Sequence, residues 1–141
     1  MRRYVILLGF CLLTIAIITT SCVDEQSIKY TRYFSDGLQI YKTNCENCHN
    51  ANGEGLAQLI PPLTDVEFLT KNRSLLPCMV ANGLSGKITV HQQIYDFNMP
   101  SNKKLAPVDV AKLLTYVTNS FGNKQGLYDI TDVEKHLKNC R

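Results

Sequence analysis

Cys45-Glu46-Asn47-Cys48-His49 places two thiols and an imidazole within five residues. On a short helix the two thiols lie about one turn apart. Thiols can add across vinyl groups to give thioethers, and an imidazole nitrogen can bind iron. These are the requirements of a c-type haem attachment sequence, which reads C-x-x-C-H. On this reading Cys45 and Cys48 are the covalent tethers and His49 is an axial ligand. Two other chemistries use the same pair of thiols. Disulfide exchange of the thioredoxin kind expects a βαβ pattern around the motif, and none is visible here. A zinc site needs four ligands, so Cys78, Cys140, His91 or His136 would have to join.

The elements that position the motif follow from periodicity. Ser35 reads as an N-cap with Asp36 in the first turn. Leu38, Tyr41 and Cys45 then fall at i, i+3 and i+7, which predicts an amphipathic helix running into the motif. Gly37 weakens such a helix, and close packing against another helix would account for it. Residues 50–55 form a loop by composition. Ile60-Pro61-Pro62-Leu63 resists regular structure but keeps its carbonyls free to accept. A ligating His needs an acceptor for its second ring N–H, and a rigid Pro-Pro carbonyl would serve. A plain turn is the alternative.

Thr64-Asp65-Val66-Glu67 has the form of a capping box and predicts a short helix over about 65–71. Ser74 caps a further helix, with Pro77 in its first turn and Asn82-Gly83 at its end. Residues 87–90 and 94–95 make a small hairpin across His91-Gln92-Gln93. Met99-Pro100 sits in an irregular segment 50 residues after His49. A lone Met is ordinarily core filler, but in a loop beside Pro this one is also a candidate ligand. Pro107 starts a helix to about Phe121, with Val110, Leu113, Leu114, Val117 and Phe121 in one apolar stripe and Gly122 ending it. Thr131-x-x-Glu134 is a second capping box. The final helix it opens places Val133, His136, Leu137 and Cys140 on one face.

At the amino end, Met1-Arg2-Arg3 and the apolar run over residues 4–18 read as a secretory signal, shorter than a membrane span. Cys22 after Thr19-Thr20-Ser21 resembles a bacterial lipoprotein box, with Thr19 where Leu is usual. That resemblance implies lipidation of Cys22 and a membrane anchor. Ordinary cleavage leaving a stray thiol is the alternative. The expected organisation is a lipoprotein-type signal over 1–21, a polar tether over 22–34 and one domain over 35–141. The 141 residues suffice for one domain. Without Arg2 and Arg3, 13 Lys and Arg face 12 Asp and Glu, a net of +1. No basic stripe with interleaved aromatics supports nucleic-acid binding. Outside the cytosol the remaining cysteines, Cys78 and Cys140, are a disulfide candidate.

In this order the elements resemble a class I mono-haem cytochrome c of the bacterial, lipoprotein-anchored type, over roughly residues 35–122. Cys45-Glu46-Asn47-Cys48-His49 matches its haem motif. Gly37 and Tyr41 match the small-then-aromatic pattern of its first helix. Leu114-Thr115-Tyr116-Val117-Thr118-Asn119-Ser120-Phe121-Gly122 is very similar to its last helix, which crosses the first closely. Residues 83–90 up to Met99-Pro100 resemble a bacterial subgroup with a hairpin before the Met ligand. The implied fold class is all-α: N- and C-terminal helices crossing over a covalent haem, a small β-hairpin before the Met, and an extra C-terminal helix from about residue 123. The resemblance implies Cys45 and Cys48 as attachments and His49 and Met99 as iron ligands. It also implies Pro61 as the carbonyl that orients His49, and Leu63 as a haem-packing side chain. Ala106 departs from the usual polar cap, and residues 123–141 extend past the usual end.

The expected function is single-electron transfer by one covalent haem c in an extracytoplasmic redox chain. Unidentified redox proteins would dock over the haem edge, with Lys87, Lys103 and Lys104 either rimming that edge or merely solvated. Two alternatives remain. The chain is a haem c subunit of a larger oxidoreductase docked through residues 127–140, or it is a ligand-binding sensor in which Met99 dissociates. His91 is the alternative sixth ligand.

Overall fold

The protein is described by a computed structural model that covers residue 3 and residues 24–140. Cys22 and the expected signal, residue 3 apart, lie outside the described residues.

Asp24 opens the first helix, α1 (Glu25–Asn44), with its carboxylate accepting from the Gln26 N–H. Glu25 in the first turn and Lys42 in the last both suit the helix dipole. This start corrects two expectations. The tether assigned to residues 22–34 is helical from Glu25, and Ser35 is an exposed mid-helix residue rather than a cap. The physical reason is an aromatic row that extends the helix's inner face. Tyr30 stacks on Phe34 at 5.9 Å between ring centroids, and Phe34 packs on Tyr116 at 5.2 Å. Lys29 also pairs with Asp129, near the other end of the chain, at 2.5 Å.

Helix α1 hands over at Cys45 to a one-turn helix, α2 (Glu46–His49). Helix α3 (Val66–Lys71) is capped by Asp65, whose carboxylate accepts from Phe68 N–H at 2.9 Å. The cap is therefore one residue later than Thr64. Backbone N–H bonds from Phe68 and His91 hold the Asp65 carboxyl below its usual range. Helix α4 (Leu76–Asn82) has Pro77 in its first turn but no side-chain cap from Ser74, and it ends at Gly83. Strands β1 (Ile88–Val90) and β2 (Gln93–Tyr95) pair antiparallel, with Val90 opposite Gln93. His91 and Gln92 are thus a two-residue turn with both φ values positive, +47° and +63°. Such turns normally use Gly or Asn. Here Asp65 holds the turn by accepting from the His91 N–H at 2.7 Å.

Helix α5 (Pro107–Val117) starts at Ala106 without a side-chain cap, as its sequence implies. It ends four residues before Phe121. The Thr118 hydroxyl and the Asn119 amide donate to the Leu114 and Thr115 carbonyls, satisfying the last turn from within. Helix α6 (Ile130–Leu137) is capped by Asp129, not by Thr131. In both expected capping boxes an Asp near the Thr position supplies the acceptor instead. A disulfide joins Cys78 of α4 to Cys140, just past α6.

The most extensive helix contact is between α1 and α5. Gly37 makes it possible. A Cβ there would lie 2.7 Å from the Lys112 carbonyl carbon and 2.8 Å from Tyr116 Cβ. Beside the crossing, Lys112 Nζ reaches Asp36 at 3.0 Å. Val110, Leu113, Leu114 and Val117 turn the α5 stripe inward, where Tyr41, Leu69, Leu76 and Val133 join them in the core. Gly37→Ala should force the two backbones apart. The expected loss is about 1–3 kcal/mol, read from denaturant unfolding of the haem-loaded protein against the parent.

Candidate haem site

The site begins where α1 stops. Cys45 N–H still bonds to Tyr41 O at 2.8 Å, while His49 N–H bonds to Cys45 O at 2.9 Å. The two thiols and the imidazole are therefore carried by one rigid turn. Asn50 turns left-handed at φ +62° and ends it. The Tyr41 hydroxyl donates to Asn50 O at 2.5 Å, and the Asn50 amide donates to Gly55 O at 2.6 Å. Gly55, at φ +71°, has no room for a side chain, since a Cβ would lie 2.8 Å from Pro61 O. This close approach brings the proline loop back onto the motif.

His49 is 9% exposed, and its Nδ1 stands 3.1 Å from Pro61 O. A carbonyl accepts only, so Nδ1 carries the proton and Nε2 keeps its lone pair. Burial lowers the His49 pKa, opposed by the Pro61 bond. The ring is thus neutral and presents Nε2, the form in which an imidazole binds a metal. Burial pushes the Cys45 thiol the other way, up to about 11. Disulfide exchange depends on a depressed thiol pKa, so Cys45 is poorly suited to act as its nucleophile.

Two adjoining cavities open beside the motif. The inner one is reached by Cys45 and walled by Leu63, Leu69, Leu113 and Leu114. The outer one is reached by Cys48 and by Leu59 and Phe97 at its rim. His49, Pro61, Leu84, Ile88 and Met99 line both. Met99 is set by a two-bond bridge with Leu84, at 2.9 and 3.1 Å. Gly83 permits that bridge, because a Cβ there would meet the Met99 carbonyl. The donor set is one imidazole, two thiols and one thioether among hydrocarbon walls. That combination suits a flat apolar tetrapyrrole attached through two thioethers. Among the described residues no group of three or more His, Cys, Asp or Glu gathers as a metal site. The zinc alternative therefore lacks its ligands.

The structure thus brings Cys45, Cys48, His49, Pro61, Leu63 and Met99 around one paired cavity. Other expected residues lie apart. His91 lines neither cavity. It sits in the hairpin turn, with Nε2 3.3 Å from Thr64 Oγ1. Lys103 and Lys104 line a separate groove beside Asn44. Lys87 is exposed between Gly86 and Ile88 of the outer cavity. Two large apolar side chains stand exposed at the outer mouth instead, Leu59 at 54% and Phe97 at 59%. Leu84 and the Tyr41 hydroxyl were not legible as site residues, because each acts through a backbone partner that no motif marks.

Residues 34–120 match the cytochrome c family. The chain belongs to that family. Two proteins named cytochrome c-552, both from Thermus thermophilus, are each 32% identical to it over 93 residues. The alignment covers 63% of this chain, 70% of the first relative and 62% of the second, a little under two thirds. Cytochromes c transfer electrons through a covalent c-type haem and are not enzymes. This cytochrome c is accordingly an electron carrier, and the fold class is the one its resemblance implied.

A holoprotein denatured in acid and extracted with organic solvent should keep its haem in the protein phase. Replacing both Cys45 and Cys48 by Ser should move the haem into the solvent. The pyridine haemochrome spectrum reads the change, because each vinyl group left unreacted shifts the band to longer wavelength.

Proposed function

We propose that the protein is a single-electron carrier of an extracytoplasmic redox chain, with His49 and Met99 as the axial pair of its haem. The observation that carries this reading is that both side chains line both cavities, one of which is reached by Cys45 and the other by Cys48. Bound haem supplies the one-electron Fe(III)/Fe(II) couple. The chain's own residues supply the rest. Pro61 O accepts from His49 Nδ1 at 3.1 Å, which keeps Nε2 directed and basic. The Leu84 bridge holds Met99 from its backbone, leaving the thioether free to ligate. A soft thioether favours the reduced state and raises the potential over a second imidazole. The hydrocarbon walls exclude water and so limit rearrangement on each transfer. The apolar rim of Leu59 and Phe97 suits weak, short-lived docking of a redox partner.

The alternative of a complex subunit relied on residues 127–140 as a docking element. Their apolar side chains are used internally: Tyr128 is 1% exposed and Val133 fully buried. This favours a carrier over a docked subunit. The disulfide between Cys78 and Cys140 fits an oxidising compartment. A lipid on Cys22 would then hold the domain at a membrane. Only Val23 and Asp24 separate Cys22 from α1, so the helix itself is the spacer. Its 20 residues span about 30 Å at the usual rise. This sets the haem end well away from the anchored end.

Met99→Ala should abolish the weak near-infrared charge-transfer band of the oxidised protein, lower the midpoint potential and admit carbon monoxide to the reduced form. A parent protein that already binds carbon monoxide at neutral pH would instead support the sensor reading. For the anchor, Cys22→Ala should shift the protein from the detergent phase to the aqueous phase in a partition assay. Equal partition of the two forms would remove the lipid from the reading.

A further inference from the structure

We infer that Asn123 is a positioning residue for the haem iron, acting through the loop that orients His49. The inference rests on the axial role proposed for His49. Asn123 lies outside the stretch that matches the family, residues 34–120. It is 1% exposed, and its amide donates to Leu63 O and to Ser120 O, both at 2.9 Å. Its Oδ1 is buried and has no hydrogen-bond partner among the described residues. A buried acceptor left unmade costs stability, so the side chain is placed for its two donated bonds.

The backbone is bent to put it there. Phe121 and Gly122 are consecutive left-handed residues, at φ +57° and +91°. Phe121 has no intrinsic preference for that region, and such a conformation costs on the order of 1 kcal/mol or more. It persists because the Phe121 ring lies against Gly53, where a Cβ would be 2.7 Å from ring carbon Cγ. The two left-handed residues reverse the chain after α5 and aim Asn123 back at the proline loop.

That loop is what sets His49. Pro61 O accepts from His49 Nδ1, and Leu63 is two residues on. The Leu63 N–H is held by Gly53 O at 2.7 Å, and the Leu63 C=O by Asn123. Pro61 and Pro62 have no N–H of their own with which to anchor the loop. The Asn123 amide therefore supplies, across 60 residues, a tie that the loop cannot make locally. Freeing Leu63 O would let the Pro61 carbonyl drift from Nδ1. His49 would become a weaker donor, the oxidised iron would lose stabilisation, and the potential would rise.

The test uses holoprotein. Asn123→Leu keeps the branched heavy-atom shape, in a somewhat larger side chain, and removes both donors. Gln125→Leu is the control. It breaks the Arg73 contact at 3.1 Å two residues further on and leaves Leu63 untouched. Three readouts apply: the midpoint potential, the solvent exchange of the His49 Nδ1 proton in the reduced protein by NMR, and the denaturant midpoint. Asn123→Leu should raise the potential and speed proton exchange roughly tenfold, the order of one buried hydrogen bond. Gln125→Leu should lower stability and leave the other two readouts at the parent's values. Should the leucine variant fail to take up haem, Asn123→Ser retains one donor and should shift both readouts in the same direction by less. Parent-like potential and exchange in the Asn123 variant that loads overturn the inference, as do equal shifts in Gln125→Leu. A parent whose spectrum lacks low-spin His/Met features overturns the axial reading itself, which separates the two failures.

Discussion

Two helix backbones can approach closely only where one of them lacks a side chain, and Gly37 is where α1 and α5 do so. The rest of the molecule follows from that contact. It sets Tyr41 against Tyr116 at 5.3 Å and against Phe121 at 5.4 Å. It brings the Cys45 end of α1 over Leu113, Leu114 and Val117, the inner wall of the cavity. A wider crossing would leave the thiols and the apolar wall too far apart to share one flat ligand. Substituting at this position therefore acts on the site through geometry, although no atom of Gly37 lines the cavity.

The cavity's apolar character then decides protonation. Removing water disfavours charged forms, which keeps His49 neutral and the Cys45 thiol protonated. Both results favour haem chemistry over the competing uses of a C-x-x-C pair. A neutral imidazole can ligate, and a protonated, half-buried thiol makes a poor exchange nucleophile. The one polar contact His49 retains in this environment, from Nδ1 to Pro61 O, aligns the ring. Electrostatics and packing thus point the same local sequence toward one function.

The flanks outside residues 34–120 form a second layer of support. Lys29 at the start of α1 meets Asp129, the cap of α6. Arg73 stacks over the Tyr128 ring at 4.2 Å and donates to Leu127 O at 3.1 Å. The buried Tyr128 hydroxyl donates to Arg73 O. The disulfide closes the same face. The exposed Lys29–Asp129 ion pair contributes little alone. Together these contacts hold the segment from Leu127 onward against the domain.

The sequence alone determined whatever depends on neighbours in the chain. The C-x-x-C-H spacing, the α5 stripe, the Gly83 stop and the hairpin before Met99 are local patterns, and each stands close to where periodicity and turn chemistry put it. Three features needed the tertiary structure. The first ten residues of α1 carry few apolar side chains and read as a tether, yet they are helical, with Tyr30 stacked on Phe34 and Phe34 packed on Tyr116. His91 was a candidate ligand by type, but Asp65 holds it in the turn instead. Asn123 carried no sequence signal, because its two acceptors include one 60 residues away. Periodicity records which face of an element is apolar. Only the packed fold decides which distant carbonyl, ring or carboxylate that face meets, because those partners are fixed by contacts between elements.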